Sequence, residues 1–235
     1  MASTTAAAQK APRKVLKKST RDSLIAYSFI APNFIGFCVF TLVPMVFAIA
    51  LAFCSWDGRH AIQFIGLDNF IKLFTTDKIF QAALKNTIVY VIGTVPLTLV
   101  CSLAMAVLLN QNVGYYMVIY LAGLQGCNPD LNEAAELDGA NRWQQFWHIT
   151  LPQLRPTTFF VVIMLTISGF KVYDQMYMIT QGGPGTATMT LVYYIYNVAF
   201  VNTPKYGYAS AIAMVLFVLV LIVTVIQFRG SKGEN

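Results

Sequence analysis

Apolar positions along this chain fall in long unbroken blocks rather than at the spacing of an amphipathic helix or strand. Residues 23–56 are apolar except at Pro32-Asn33 and Pro44. A membrane-crossing helix needs about 20 residues, so this block has length to spare. The crossing part is predicted at 34–55, with 23–33 as a lead-in helix at the inner surface. Prolines are tolerated in such a span where neighbouring helices satisfy the freed carbonyls. The mixed, charged stretch 57–85 contains a turn at 66–70 that opens a short amphipathic helix. Blocks 87–109, 157–180 and 208–228 predict three more spans. By contrast, residues 114–126, GYYMVIYLAGLQG, hold an apolar core of about ten residues, too short to cross a bilayer. The class predicted is an all-α, polytopic transmembrane helix bundle with about four full spans and one partial helix.

One polar island interrupts the second half of the chain. Residues 133–152, EAAELDGANRWQQFWHITLP, carry three carboxylates, an arginine, a histidine and two tryptophans. Asn128-Pro129 reads as an N-cap followed by proline at the first helical position. Ala134, Ala135 and Leu137 favour helix, and Gly139 supplies the left-handed residue that ends it. Asn141 with Gln144 predicts a second N-cap of capping-box type. Trp143, Phe146, Trp147, Thr150 and Leu151 share one face, and Pro152 is expected to stop that helix. Two short helices joined by a glycine bend have little use in lipid, where their charges are costly. They suit a groove on a soluble partner.

Composition agrees with a membrane protein: of 235 residues, 57% are hydrophobic and 11% charged, against about 25% charged in soluble domains. The net charge of +6 is concentrated at the start, where Lys10, Arg13, Lys14, Lys17, Lys18 and Arg21 precede the first apolar block. That placement is a positive-inside signal rather than a nucleic-acid arm. It puts a disordered basic tail, residues 1–22, in the cytoplasm; Arg229 and Lys232 mark a second cytoplasmic tail, 229–235. The first block is too long for a signal-peptide core and reads as an uncleaved anchor. Cys38, Cys54, Cys101 and Cys127 show no ligand or disulfide spacing, and no metal or bound cofactor is expected. A P-loop is absent, so the chain itself is not expected to be an ATPase or any other enzyme.

Glu133, Ala134, Ala135, Asp138, Gly139, Ala140, Phe146, Ile149, Leu151 and Pro152 resemble the cytoplasmic EAA loop of ATP-binding-cassette importer permeases. The resemblance implies a type I importer transmembrane domain over 23–228, whose loop, 128–156, docks on a separate ATPase and couples nucleotide-driven closure to pore opening. The ATP is then used by the partner. Stretches 57–85 and 180–200 are similar to segments of carbohydrate-uptake permeases, of the maltose, glycerol-3-phosphate or multiple-sugar type. The partners implied are a second permease subunit, an ATPase dimer, an extracytoplasmic binding protein and the lipid bilayer of the plasma membrane, with no nucleic acid. Where the family has Ile-Pro and a tyrosine, this chain has Cys127-Asn128-Pro129 and Asn132.

Two further readings concern transport itself. Ionisable groups in a span default to function, and Lys171, Tyr173, Asp174 and Gln175 fall in the outer half of 157–180. Lys171 and Asp174 are spaced to pair on one helical face; alternatively Lys171 snorkels and the tyrosines form an interfacial belt. Thr94, Thr98 and Ser102 either pack helices or line a pathway. Tyr193, Tyr194 and Tyr196 either stack on sugar rings or pack helices. The parity of spans is odd: the second ends inside, the loop is inside, and only half a crossing separates them. Roughly fifty residues are missing by this count, one span, an outer loop and half a span. The alternatives to a working permease are an internally deleted, transport-defective remnant and a secondary transporter or channel. The last predicts buried charges in several spans, which this chain lacks.

Overall fold

The computed structural model describes residues 16–108, 114–201 and 203–232. The chain divides into two units, one ending at Ala48 and the other starting at Ile49. The first consists of α1 (Leu16–Phe37), a π-helical turn (Cys38–Leu42) and the beginning of α2 (Val43–Leu51). Its apolar side chains are exposed, as Phe29 and Phe40 illustrate. The tail expected to be disordered to residue 22 is corrected at its inner end, because helix starts at Leu16; residues 1–15 lie outside the described ones. Lys17, Lys18 and Arg21 are good helix formers, and no proline follows Pro12 until Pro32. Helix ends at Leu51 rather than at residue 55, since Cys54–Ser55 (β1) pairs antiparallel with Gln63–Phe64 (β2).

The second unit continues with α3 (Asp68–Thr75), α4 (Lys78–Leu108), α5 (Tyr115–Gln125), α6 (Pro129–Leu137), α7 (Arg142–Gln145), α8 (Leu151–Gln153), α9 (Arg155–Phe170), α10 (Leu191–Tyr196) and α11 (Tyr206–Lys232). π-Helical turns join α7 to α8 (Phe146–Thr150) and extend α10 (Asn197–Val201). Segments Tyr27–Leu51, Lys78–Val107 and Tyr206–Ser231 are each long and apolar enough to cross a membrane. Arg142–Gln153 and Arg155–Phe170 pass the same test together, bent by 67° at Leu154.

Both π turns that precede a proline have one cause. A proline ring clashes with the carbonyl four residues back. Val43 N–H reaches Cys38 O just before Pro44, and Leu151 N–H reaches Phe146 O just before Pro152. The wide turn lets the helix run past each ring. Pro152 therefore does not stop its helix as expected; the break comes at Leu154, and Pro156 sits in the first turn of α9.

The expected span 157–180 is also corrected, because it is not one helix. α9 ends at Phe170, residues 171–173 leave helical geometry, and a π turn follows at Met176–Thr180. The Val172 carbonyl freed by this break accepts the Thr190 hydroxyl at 3.0 Å, which satisfies a backbone group that lipid could not. Lys171 and Asp174 consequently share no helical face. Among the described residues the one salt bridge is His60–Asp57.

Two buried clusters hold the second unit. One joins α3, the start of α4, α10 and the start of α11 through Leu73, Phe80, Leu191 and Ile212. The other joins the end of α4, α5 and α9 through Ala106, Met117, Tyr120, Val161 and Leu165. Close contacts fix helix directions. An added Cβ on Gly169 would lie 3.2 Å from Val91, while Ala106 shares its cluster with Val161; α4 thus runs against α9. Tyr116 OH donates to Ser168 Oγ at 3.4 Å, and a Cβ on Gly123 would lie 2.8 Å from Thr157 Oγ1; α5 also runs against α9. Although consecutive, α4 and α5 run in the same direction. The polar junction 110–113 between them lies outside the described residues.

Candidate functional site: a capped helix pair and a polar cavity

The helix pair 129–153 is assembled from the local signals its sequence carries. Asn128 accepts from the Asp130 N–H, with Pro129 opening α6. Gly139 has φ +83°, and Ala140 N–H returns to Ala135 O at 2.9 Å, which closes the helix end as a left-handed cap does. Asn141 and Gln144 exchange side chain-to-backbone bonds of 2.9 Å in both directions, a complete capping box. The ends of the element are tied by Asn128 N–H donating to Gln153 Oε1 at 3.0 Å. The result is a hairpin closed by its own caps and by one bond between its ends.

What the hairpin offers outward is side chains. Glu133, Ala134, Asp138, Gly139 and Pro152 are exposed, while Ala135, Ala140, Phe146, Ile149 and Leu151 are half-buried. The structure thus gathers the ten loop residues on one element. Leu137, absent from that set, is 91% exposed beside the Gly139 bend. Its apolar side chain stands out from a capped helix end. Trp143 and Trp147 are exposed as well, 6.4 Å apart between ring centroids.

A second site lies where α9 breaks. Lys171, Tyr173, Asp174 and Gln175 line one cavity of about 320 Å³ together with Thr94 and Thr98 of α4. The two sets of polar residues picked out in separate apolar blocks therefore meet, while Ser102 is buried and donates to Leu99 O. Tyr90, Tyr116 and Ser168 join the lining; they were not legible beforehand because only the packing of α4, α5 and α9 brings them together. The wall is rich in hydroxyls, with a cation and an anion at the break. Such a surface offers donors and acceptors to a polyhydroxylated solute.

Tyrosines crowd the same end. Tyr173 stacks on Tyr177 at 5.4 Å with an interplanar angle of 15°, and Tyr196 lies 5.3 Å from Tyr173. Tyr193 joins at 6.1 Å. Tyr194 faces the other way: its hydroxyl donates to Asp77 Oδ2 at 2.5 Å, and Tyr208 donates to the same oxygen at 2.6 Å. Of the three tyrosines read as stacking candidates, two enter the aromatic group by the cavity and one pins helices together. Among the described residues no group of three or more His, Cys, Asp or Glu is placed to hold a metal.

A solved bacterial ABC transporter chain, from an importer of the acidic polysaccharide alginate, superposes with a TM-score of 0.73 at 20% identity, covering 95% of this chain and 100% of that one. The probable ABC transporter permease protein YesP of Bacillus subtilis is 34% identical over 292 aligned positions, covering 92% of this chain and 94% of its own length. The lactose transport system permease protein LacF of Rhizobium radiobacter is 25% identical, covering 88% and 94%. A multiple sugar-binding transport system permease protein, MsmF of Streptococcus mutans, is 42% identical over 126 residues, 54% of this chain and 43% of the relative. The family model of binding-protein-dependent transport system inner membrane components matches residues 15–230, and the chain with this capped hairpin and helical bundle belongs to that family of membrane transport permeases.

Proposed function

We propose that this chain is the permease subunit of an importer for a sugar or sugar-like solute, coupled to a separate ATPase through the helix pair 129–153. The observation that carries the reading is the hairpin itself: fully capped, self-closed and presenting Leu137 with exposed carboxylates. Relatives named for lactose and multiple sugars, together with the hydroxyl-lined cavity at the α9 break, support the solute class. ATP is consumed by the ATPase dimer, and a second permease subunit completes the pathway. A binding protein delivers solute from outside; a solved alginate transporter is described in complex with its periplasmic protein. Both termini face the cytoplasm in this reading, as the basic residues before the first span and Arg229 after the last require. Leu137→Asp tests the coupling. Because the side chain touches little of its own fold, the variant is expected to insert normally and to lose ATPase co-purification at least ten-fold. Undiminished co-purification refutes docking through this hairpin.

A second reading is favoured by two observations. The alignment with YesP runs over 292 positions but takes in only 92% of the 235 residues here, so well over fifty of its positions have no counterpart in this chain; both chains are covered almost end to end, and the surplus is internal. α4 and α5 run the same way, an arrangement that a return crossing between them would account for. The chain as it stands is then an internally shortened permease that recognises its ATPase and transports little.

A further inference from the structure

An open groove of about 580 Å³ separates the second half of α4 from the helix formed by α7, its π turn and α8. One wall is a seam of Val100, Ala104 and Val107; the other is a seam of Trp143, Trp147 and Leu151. The spacings, four then three residues on α4 and four then four on the other helix, are those of ridges on a helix surface. Both seams are exposed apart from the half-buried Leu151. The groove is apolar, with Arg142 its one charged residue.

We propose that this groove is the seat of an apolar helix formed by the segment that relatives carry within the chain and this chain lacks, and that this helix binds there when supplied separately. The proposal rests on the shortened-permease reading and says where the absent piece belongs. Three observations converge on it. The groove opens beside Val107, one residue before α4 ends and next to the junction where the shortened-permease reading puts the gap. The surplus of more than fifty aligned positions is long enough for a span with connections, about 20 residues for the span. Ala104, in the middle of its seam, permits the close backbone approach by which helices associate in lipid. Acyl chains cover a convex apolar face, whereas two facing seams at helical spacing provide ridges and a trough for a third helix.

The test co-expresses the 235-residue chain with a tagged segment, built as a hairpin from the positions of YesP that have no counterpart in this chain. Native cysteines are replaced, and single cysteines are placed at Ala104→Cys in the groove or at Phe217→Cys on an exposed face of α11. Cross-linking to a cysteine in the hairpin is expected to be at least ten-fold stronger from position 104. Ala104→Trp, at an exposed position, is expected to lower recovery of the tagged hairpin at least five-fold. Equal cross-linking from both positions, or undiminished recovery with the tryptophan, overturns the seat and leaves lipid as the groove's occupant. Splicing the same segment between Val113 and Gly114 repeats the measurement within one chain, so that failure of the separate hairpin to insert does not decide the outcome. Solute uptake by the unsupplemented chain would instead refute the shortened-permease reading, whatever the cross-links show.

Discussion

Asp77 joins three elements by one carboxylate, and its replacement gives a quantitative check on how the α3 end of the bundle is held. Oδ2 accepts the hydroxyls of Tyr194 on α10 and Tyr208 on α11 at 2.5 and 2.6 Å, while Oδ1 accepts the Phe80 N–H of α4 at 2.9 Å. Partial burial by itself raises this carboxyl. The two tyrosine hydroxyls and the backbone N–H groups of Phe80 and Ile79 more than offset it, and the group is held below its ordinary range. Hydrogen bonds to a charged group contribute about 1.5–3 kcal/mol each, with the low end fitting a site open to solvent. Asp77→Asn keeps the shape but turns an amide toward one or both hydroxyls, so a loss of about 2 kcal/mol is expected. For a chain of this size that is roughly 4–8 °C in Tm, read by circular dichroism in detergent micelles. A cycle with Tyr194→Phe locates the effect: the phenylalanine should cost markedly less in the Asp77→Asn background than in the native one. The sign with pH follows from the lowered folded value. Stabilisation is complete above the unfolded carboxyl value of about 3.9 and is lost as pH falls through the folded value. The native protein should therefore keep its advantage over Asp77→Asn from about pH 8 down to about 4 and surrender it below. Equal melting at neutral pH, or additive losses in the cycle, would refute the reasoning.

Further outcomes concern the hairpin and the topology. At Gly139 no atom lies within 4 Å of an added Cβ, so substitution costs come from φ +83° alone; Gly139→Val should weaken ATPase association several-fold, about 1–2 kcal/mol. Gly139→Asn, which tolerates that conformation, should retain most of it, and equal behaviour of the two variants counts against a conformational role. A cysteine at Asn141 should resist impermeant thiol reagents in intact cells and react in inverted vesicles, while labelling from outside would reverse the proposed topology. In a strain lacking its own permease but supplied with the other subunits, the 235-residue chain is expected to give little or no ATP-dependent uptake. Robust uptake would show that the additional segment of the relatives is dispensable.

The sequence alone determined whatever depends on neighbours along the chain. Block hydrophobicity marked the long helices, because a bilayer-crossing segment must be apolar on all sides and needs no partner to be recognised. The Asn128 and Asn141 caps and the Gly139 bend were legible for a related reason: each is a bond between residues two to five apart. Parity of crossings raised the expectation of a gap, since it is a count. Other features needed the folded chain. The break at Lys171 became possible only where Thr190 could satisfy the Val172 carbonyl, a bond across 18 residues. The continuation of helix through Pro152 depended on a π turn that propensity does not encode. Tyr194 parted from Tyr193 and Tyr196 because Asp77, 117 residues away, stands on its side of α10. The cavity drew Thr94 and Thr98 to Tyr173 and Gln175 only when α4 packed against α9. Local signals fix elements because their energies are local; sites are composed of side chains that tertiary packing alone makes neighbours.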